Sequence, residues 1–150
     1  MYSMIKYNAM KRIVYVSLVS VLLIACTKYE NGPDYTLQTK KVRLANNWTV
    51  NEAIHLNGDS TAPFHKIYSG YQFNIGADEQ YSLFFRPNGE GHYNEKGTWK
   101  FSDDKLHFIT TSEAGAVIDY YILRLAHNEL WVRFTNEGNE WELHLFPKPI

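Results

Sequence analysis

Apolar and polar residues alternate with a period of two over much of the chain, which is the signature of half-buried β-strands. Tyr71, Phe73 and Ile75 fall on one face, and Gln72 and Asn74 on the other. Trp141, Leu143 and Leu145 stand opposite Glu140, Glu142 and His144, and Trp99 and Phe101 oppose Thr98 and Lys100. The pattern predicts strands near Trp48–His55, Tyr68–Ile75, Gln80–Arg86, Gly91–Tyr93, Thr98–Phe101, Leu106–Thr111, Val117–Leu125, Leu130–Thr135 and Glu140–Phe146. Turn-forming residues separate them: Asn57–Ser60, Gly76–Glu79, Pro87–Gly89, Asn94–Gly97, Ser102–Lys105, Ala126–Glu129 and Asn136–Asn139. Connections this short force consecutive strands to pair antiparallel. An all-β, up-and-down meander of 8–9 strands is expected, closed into a barrel or, alternatively, folded as a two-sheet β-sandwich. Thr36–Ala45 is the single helical candidate, with Leu37, Lys41 and Leu44 on one side and Asn46-Asn47 closing it. Pro147 and Pro149 prevent extension of the last strand.

One apolar stretch obeys a different rule. Residues 13–24 form an almost unbroken apolar run preceded by Lys6, Lys11 and Arg12, with no acidic residue before Glu30. Crossing a bilayer takes about 20 apolar residues, and this run is shorter and holds Ser17 and Ser20. It reads as a cleavable leader. Leu23-Ile24-Ala25-Cys26 follows, with a leucine three before and a small residue one before the only cysteine. That tetrapeptide resembles the lipobox of bacterial lipoproteins. The resemblance implies cleavage before Cys26 and attachment of acyl chains to it, so that the membrane is a partner through lipid. One chain anchors marginally and two or more anchor stably.

Removing the leader changes the charge. Losing Lys6, Lys11 and Arg12 takes the basic count from 15 to 12 against an unchanged 16 acids, a formal charge of −4. No basic stripe survives, which argues against nucleic acid as a partner. With its one cysteine given to lipid the domain can form no internal disulfide, and the core must hold the fold alone. The chain thus divides into a leader (1–25), a polar tether (26–35) marked by Gly32-Pro33, and one domain (36–150). Lys28, Glu30 and Asp34 match in part the lysine-plus-acid export signal that follows the cysteine in Bacteroidetes surface lipoproteins, with Tyr29 interrupting it. The cell envelope, and its outer membrane in particular, is the expected location, on either face.

Within the domain, Gly97-Thr98-Trp99-Lys100-Phe101, Asp103-Asp104-Lys105-Leu106, Tyr120–Leu125 and Glu129-Leu130-Trp131-Val132 resemble the lipocalin-like domains of Bacteroidetes lipoproteins. Asn46-Asn47-Trp48 stands where lipocalins open with Gly-x-Trp. The resemblance spans roughly Leu44 to Pro147 and implies a lipocalin-like up-and-down barrel and small-molecule binding.

Candidate chemistry is sparse. No nucleophile motif such as Gly-x-Ser-x-Gly is present and no cysteine remains for catalysis, so no catalytic residue and no cofactor are expected. His55, His65, His92, His107, His127 and His144 are scattered without metal-ligand spacing, and no metal site is expected; strand-borne His92, His107 and His144 could converge in three dimensions, but solvated surface histidines are the simpler reading. Arg133 lies two residues from Trp131, and Arg124 lies two and four residues from Ile122 and Tyr120. If these faces turn inward, Tyr120, Arg124, Trp131 and Arg133 are ligand-binding candidates. Their guanidiniums would hold a carboxylate or phosphate head by bidentate pairs, and the aromatics would wall the tail. If they turn outward, guanidinium simply stacks on indole, the simpler arrangement. Function therefore divides between binding a small apolar or amphipathic ligand inside the barrel and an interaction module that docks on an envelope protein partner through an exposed apolar patch.

Overall fold

Strand β1 (Asn46–His55) pairs with the last strand from Trp48 to His55, and that pairing closes the sheet on itself. The computed structural model describes Tyr29 and residues 37–55, 58–136 and 138–149; the leader, Cys26, Lys28, Glu30 and Asp34 lie outside the described residues. After helix α1 (Lys40–Leu44) come β1, the two-residue β2 (Gly58–Asp59), helix α2 (Thr61–Ile67) and β3 (Tyr68–Ile75). Then follow β4 (Gln80–Pro87), β5 (Tyr93–Phe101), β6 (His107–Ser112), β7 (Val117–Leu125), β8 (Leu130–Asn136) and β9 (Asn139–Pro147). All pairings are antiparallel, in the order β2-β1-β3-β4-β5-β6-β7-β8-β9 with β9 returning to β1. The result is a closed eight-stranded barrel with β2 as a short ninth strand on β1. A two-sheet sandwich is thereby excluded, because closure leaves no second sheet.

The alternation read from the sequence puts the expected side chains inside: Tyr71, Phe73, Ile75, Trp99, Leu143 and Leu145 are buried. Two expectations need correction. The strands expected at Gly91–Tyr93 and Thr98–Phe101 are one strand, β5, and Asn94–Gly97 is not a turn. Gly97 is instead a point of close approach. A Cβ there would lie 2.1 Å from the Thr111 carbonyl oxygen and 2.8 Å from the Tyr81 ring. The missing side chain therefore lets Tyr81 lie across β5. The helix expected over Thr36–Ala45 is only Lys40–Leu44, because Thr39 caps it by accepting a hydrogen bond from the Val42 amide at 3.3 Å, and Leu37 is left exposed.

The two ends of the barrel differ. At one end α1 drops Leu44 against the fully buried Trp48, whose indole N–H donates to the Leu44 carbonyl at 2.9 Å. Buried Arg43 donates to the Leu125 carbonyl, and Leu125 and Leu130 complete the floor. Tyr29 also belongs to this end. It is 4% exposed and donates its hydroxyl to the Lys105 carbonyl in the β5–β6 turn at 2.9 Å. In the middle, Phe108 and Tyr120 stack nearly parallel at 4.7 Å, and Phe73 packs on both at a tilt. The other end carries α2 and the turns between β4 and β5, β6 and β7, and β8 and β9. There the interior is not filled.

Candidate ligand-binding cavity

A cavity of about 450 Å³ opens at this second end. Its volume lies within the range of ~300–1,000 Å³ common to small-molecule sites. Eight of its fifteen lining residues are aromatic. Helix α2 forms one side: Phe64 is buried and packs on Tyr68, Tyr71 and Trp141 at centroid distances of 4.7, 5.5 and 5.8 Å. Phe85 continues this row, 5.1 Å from Tyr68, and stacks on Tyr93 at 4.5 Å. Phe134 leans on Tyr120 at 4.9 Å and forms part of the wall above the packed middle. Exposed apolar side chains sit at the rim: Ile67 at the end of α2, Tyr93 at the start of β5 and Val117 at the start of β7.

The one charged side chain in the lining is Glu95, inward-facing on β5. Its Oε1 accepts the Tyr81 hydroxyl at 2.7 Å and its Oε2 the Tyr93 hydroxyl at 2.8 Å. Gly97 allows the first of these bonds by leaving space for the Tyr81 ring. The surrounding phenols are held in their neutral form. Burial, then the hydrogen bond to Glu95 and its charge, push Tyr93 up to about 12, and the same causes raise Tyr81. Tyr71 and Tyr120 are raised chiefly by burial, with further contributions from neighbouring phenols and from the Glu95 charge.

Of the four side chains singled out in the sequence, only Tyr120 lines this cavity. Trp131 and Arg133 project from the outer wall, since Leu130, Val132 and Phe134 take the inner face of β8. The expectation that Arg124 shares a face with Tyr120 and Ile122 is corrected by a β-bulge: Leu123 and Arg124 together stand opposite Trp131, which inverts the alternation. Arg124 therefore points outward, lies 5.4 Å over the Trp131 ring and pairs with Glu129. A second bulge, between Val50 and Glu52, turns Glu52 outward in the same way. These residues build a polar ladder on the outer wall. Trp131 stacks on His144 at 4.2 Å, His144 bonds Glu52 at 2.7 Å and Glu142 at 2.9 Å, and Arg133 bonds Glu142 at 3.0 Å. Burial alone would raise Glu142, but hydrogen bonds from His144 and Arg133 and their charges outweigh it and hold the carboxyl below its usual range.

His92, His107 and His144 do not converge: His107 pairs with Asp119 at 2.8 Å, and His92 packs near Phe84. Among the described residues no group of three or more His, Cys, Asp or Glu is placed to hold a metal ion. The sequence reading missed Glu95 and Phe64. Tyr93, Glu95, Gly97, Trp99 and Phe101 do alternate, so the period was there to find, but Asn94-Glu95-Lys96-Gly97 has the composition of a turn.

No protein-family model matches the chain, and no curated protein matches it. Among solved structures, it is similar to a lipocalin-like protein from Bacteroides uniformis ATCC 8492, with a TM-score of 0.52 and 11% identity over 71% of this chain and 99% of that one. It is also similar to an uncharacterized protein from Bacteroides eggerthii DSM 20697, with a TM-score of 0.45 and 10% identity over 68% and 98% of the two chains. The fold is thus a lipocalin-like barrel.

Proposed function

We propose that this protein is a lipid-anchored envelope protein whose barrel binds a small apolar or amphipathic ligand in the cavity at its open end. The observation that carries the binding role is the contrast within the barrel. The floor and middle are packed with their own side chains, while the last turns of the strands enclose an aromatic-walled space of about 450 Å³. Barrels of eight strands have room either to fill themselves or to hold one small ligand. The anchor rests on the lipobox resemblance at Leu23–Cys26, and the outer membrane follows as the proposed location.

Binding is tested with the neutral fluorescent probe N-phenyl-1-naphthylamine. The wild-type chain is expected to enhance its emission saturably. Leu83→Trp, which grows into the cavity from β4, is expected to weaken that binding at least fivefold with little change in melting temperature. Equal binding by the variant would place the probe elsewhere. The anchor is tested separately with Cys26→Ser, which is expected to move the protein from the membrane fraction to the soluble one.

A further inference from the structure

The cavity carries its single formal charge at Glu95, and no Lys, Arg or His among the described residues pairs with it. An ionised carboxylate offers about four lone-pair sites. Two are taken by Tyr81 and Tyr93, which donate from the protein side and fix the carboxylate's orientation. The remaining capacity calls for donors that the barrel does not supply. The guanidiniums that would attract an anion, Arg124 and Arg133, are outside, bonded to Glu129 and Glu142. An anionic head group in the cavity would instead meet the like charge of Glu95, which disfavours its binding. The walls favour a cation for a separate reason. The faces of aromatic rings carry negative electrostatic potential, and a cation within about 6 Å of a ring centroid is attracted to it. Tyr68, Tyr71, Phe85, Tyr93 and Trp141 surround the same space.

We propose that the cavity binds a small organic cation: an ammonium head directed at the Glu95 carboxylate, with an apolar body against the aromatic wall. The assignment rests on the reading of the cavity as a ligand site and adds the ligand's charge and polarity. It reverses the preference expected when arginines were the candidate head-group contacts.

The test uses three soluble probes with one apolar body: 4-phenylbutylammonium, 4-phenylbutan-1-ol and 4-phenylbutyrate. Each is titrated calorimetrically into the full chain held in phosphatidylcholine nanodiscs, with empty nanodiscs as blank. The ammonium is expected to bind at least tenfold more tightly than the alcohol, and the carboxylate more weakly than either. In Glu95→Gln the ammonium should fall to within about threefold of the alcohol. A circular dichroism spectrum and a melting temperature close to those of the wild type show that the variant is folded. A carboxylate that binds as tightly as the ammonium overturns the proposal, and so does an ammonium preference that survives Glu95→Gln. Alcohol binding with no charge preference refutes the cationic ligand alone, whereas no binding by any of the three also removes the cavity as a ligand site.

Discussion

Tyrosine is the residue on which this interior depends, because a ring can fill volume while its hydroxyl reaches a polar partner at the edge. Tyr29, Tyr71, Tyr81, Tyr93 and Tyr120 all have their ionisation pushed upward, with burial as the first cause. In the unfolded chain a phenol loses its proton near pH 10, whereas in the fold these phenols keep theirs to higher pH, about 12 for Tyr93. Above pH 10 the native state therefore holds more protons than the unfolded one, and stability falls as pH rises. The tyrosine contribution is present in full below pH 10 and lost as pH climbs through the folded values. Urea unfolding at pH 8, 10 and 11 should show the decline, and Tyr71→Phe should make it shallower. An identical slope in the variant would exclude Tyr71 as a contributor. Glu142 behaves in the opposite sense: its depressed carboxyl stabilises the fold above the unfolded carboxylate value, and that stabilisation is lost as pH falls through the folded value. Glu142→Gln should flatten the acid limb that appears when the same urea series is extended to pH 6, 4 and 3.

At the level of elements, strand faces were legible where a strand is regular and illegible where a bulge intervenes. β9, and β3 from Gln72 onward, present Leu143 and Phe73 inward as their alternation requires. β7 obeys its alternation as far as Ile122 and then reverses, because the extra residue is counted against the partner strand β8 and leaves no mark in β7's own sequence. Arg124 was misplaced for that reason alone. Helix α2, which the strand-and-turn pattern did not predict, carries Pro63 in its first turn, where the missing N–H costs little. Gly97 was misread as a turn glycine when its role is to admit the Tyr81 ring, and the two roles predict different mutants. Gly97→Ala drives a methyl into the β6 backbone and should destabilise by ~2 kcal/mol or more. Gly89 occupies a true turn at φ +81°, and a methyl added there would meet no heavy atom within 4 Å, so Gly89→Ala should cost only about 1 kcal/mol of backbone strain. At the floor, Trp48→Ala removes the fully buried indole on which α1 rests and should cost ~3–5 kcal/mol. Equilibrium urea titration of the three variants orders them, and a Gly89→Ala cost exceeding that of Gly97→Ala would reverse the assignment of the two glycines.

At the level of the whole molecule, the position of Tyr29 couples the proposed lipid anchor to the direction in which the cavity faces. The tether expected over residues 26–35 has Tyr29 buried at the closed end, where its hydroxyl is bonded to Lys105 and Lys40 lies 4.4 Å over its ring. Cys26 is three residues away, and three residues span at most roughly 10 Å. On the proposed anchor, acyl chains on Cys26 would enter the bilayer close to the closed end, which would leave the cavity facing away from it. The surface of that end suits the arrangement: Leu37 and Val42 are exposed apolar side chains beside Lys40 and Lys41, a pairing that places hydrocarbon and ammonium groups at the depth where each is favourable. A bimane fluorophore on Asp103→Cys, in the β5–β6 turn, should therefore be quenched by nitroxide-labelled lipids. The same fluorophore on Glu90→Cys, in the β4–β5 turn at the cavity's rim, should not be quenched. The reverse pattern would turn the barrel over, and quenching at neither position would detach it from the membrane altogether. Leu37→Asp combined with Val42→Asp should weaken quenching at position 103 without releasing the protein, since on the proposed anchor the acyl chains would hold it and these side chains would set only its tilt.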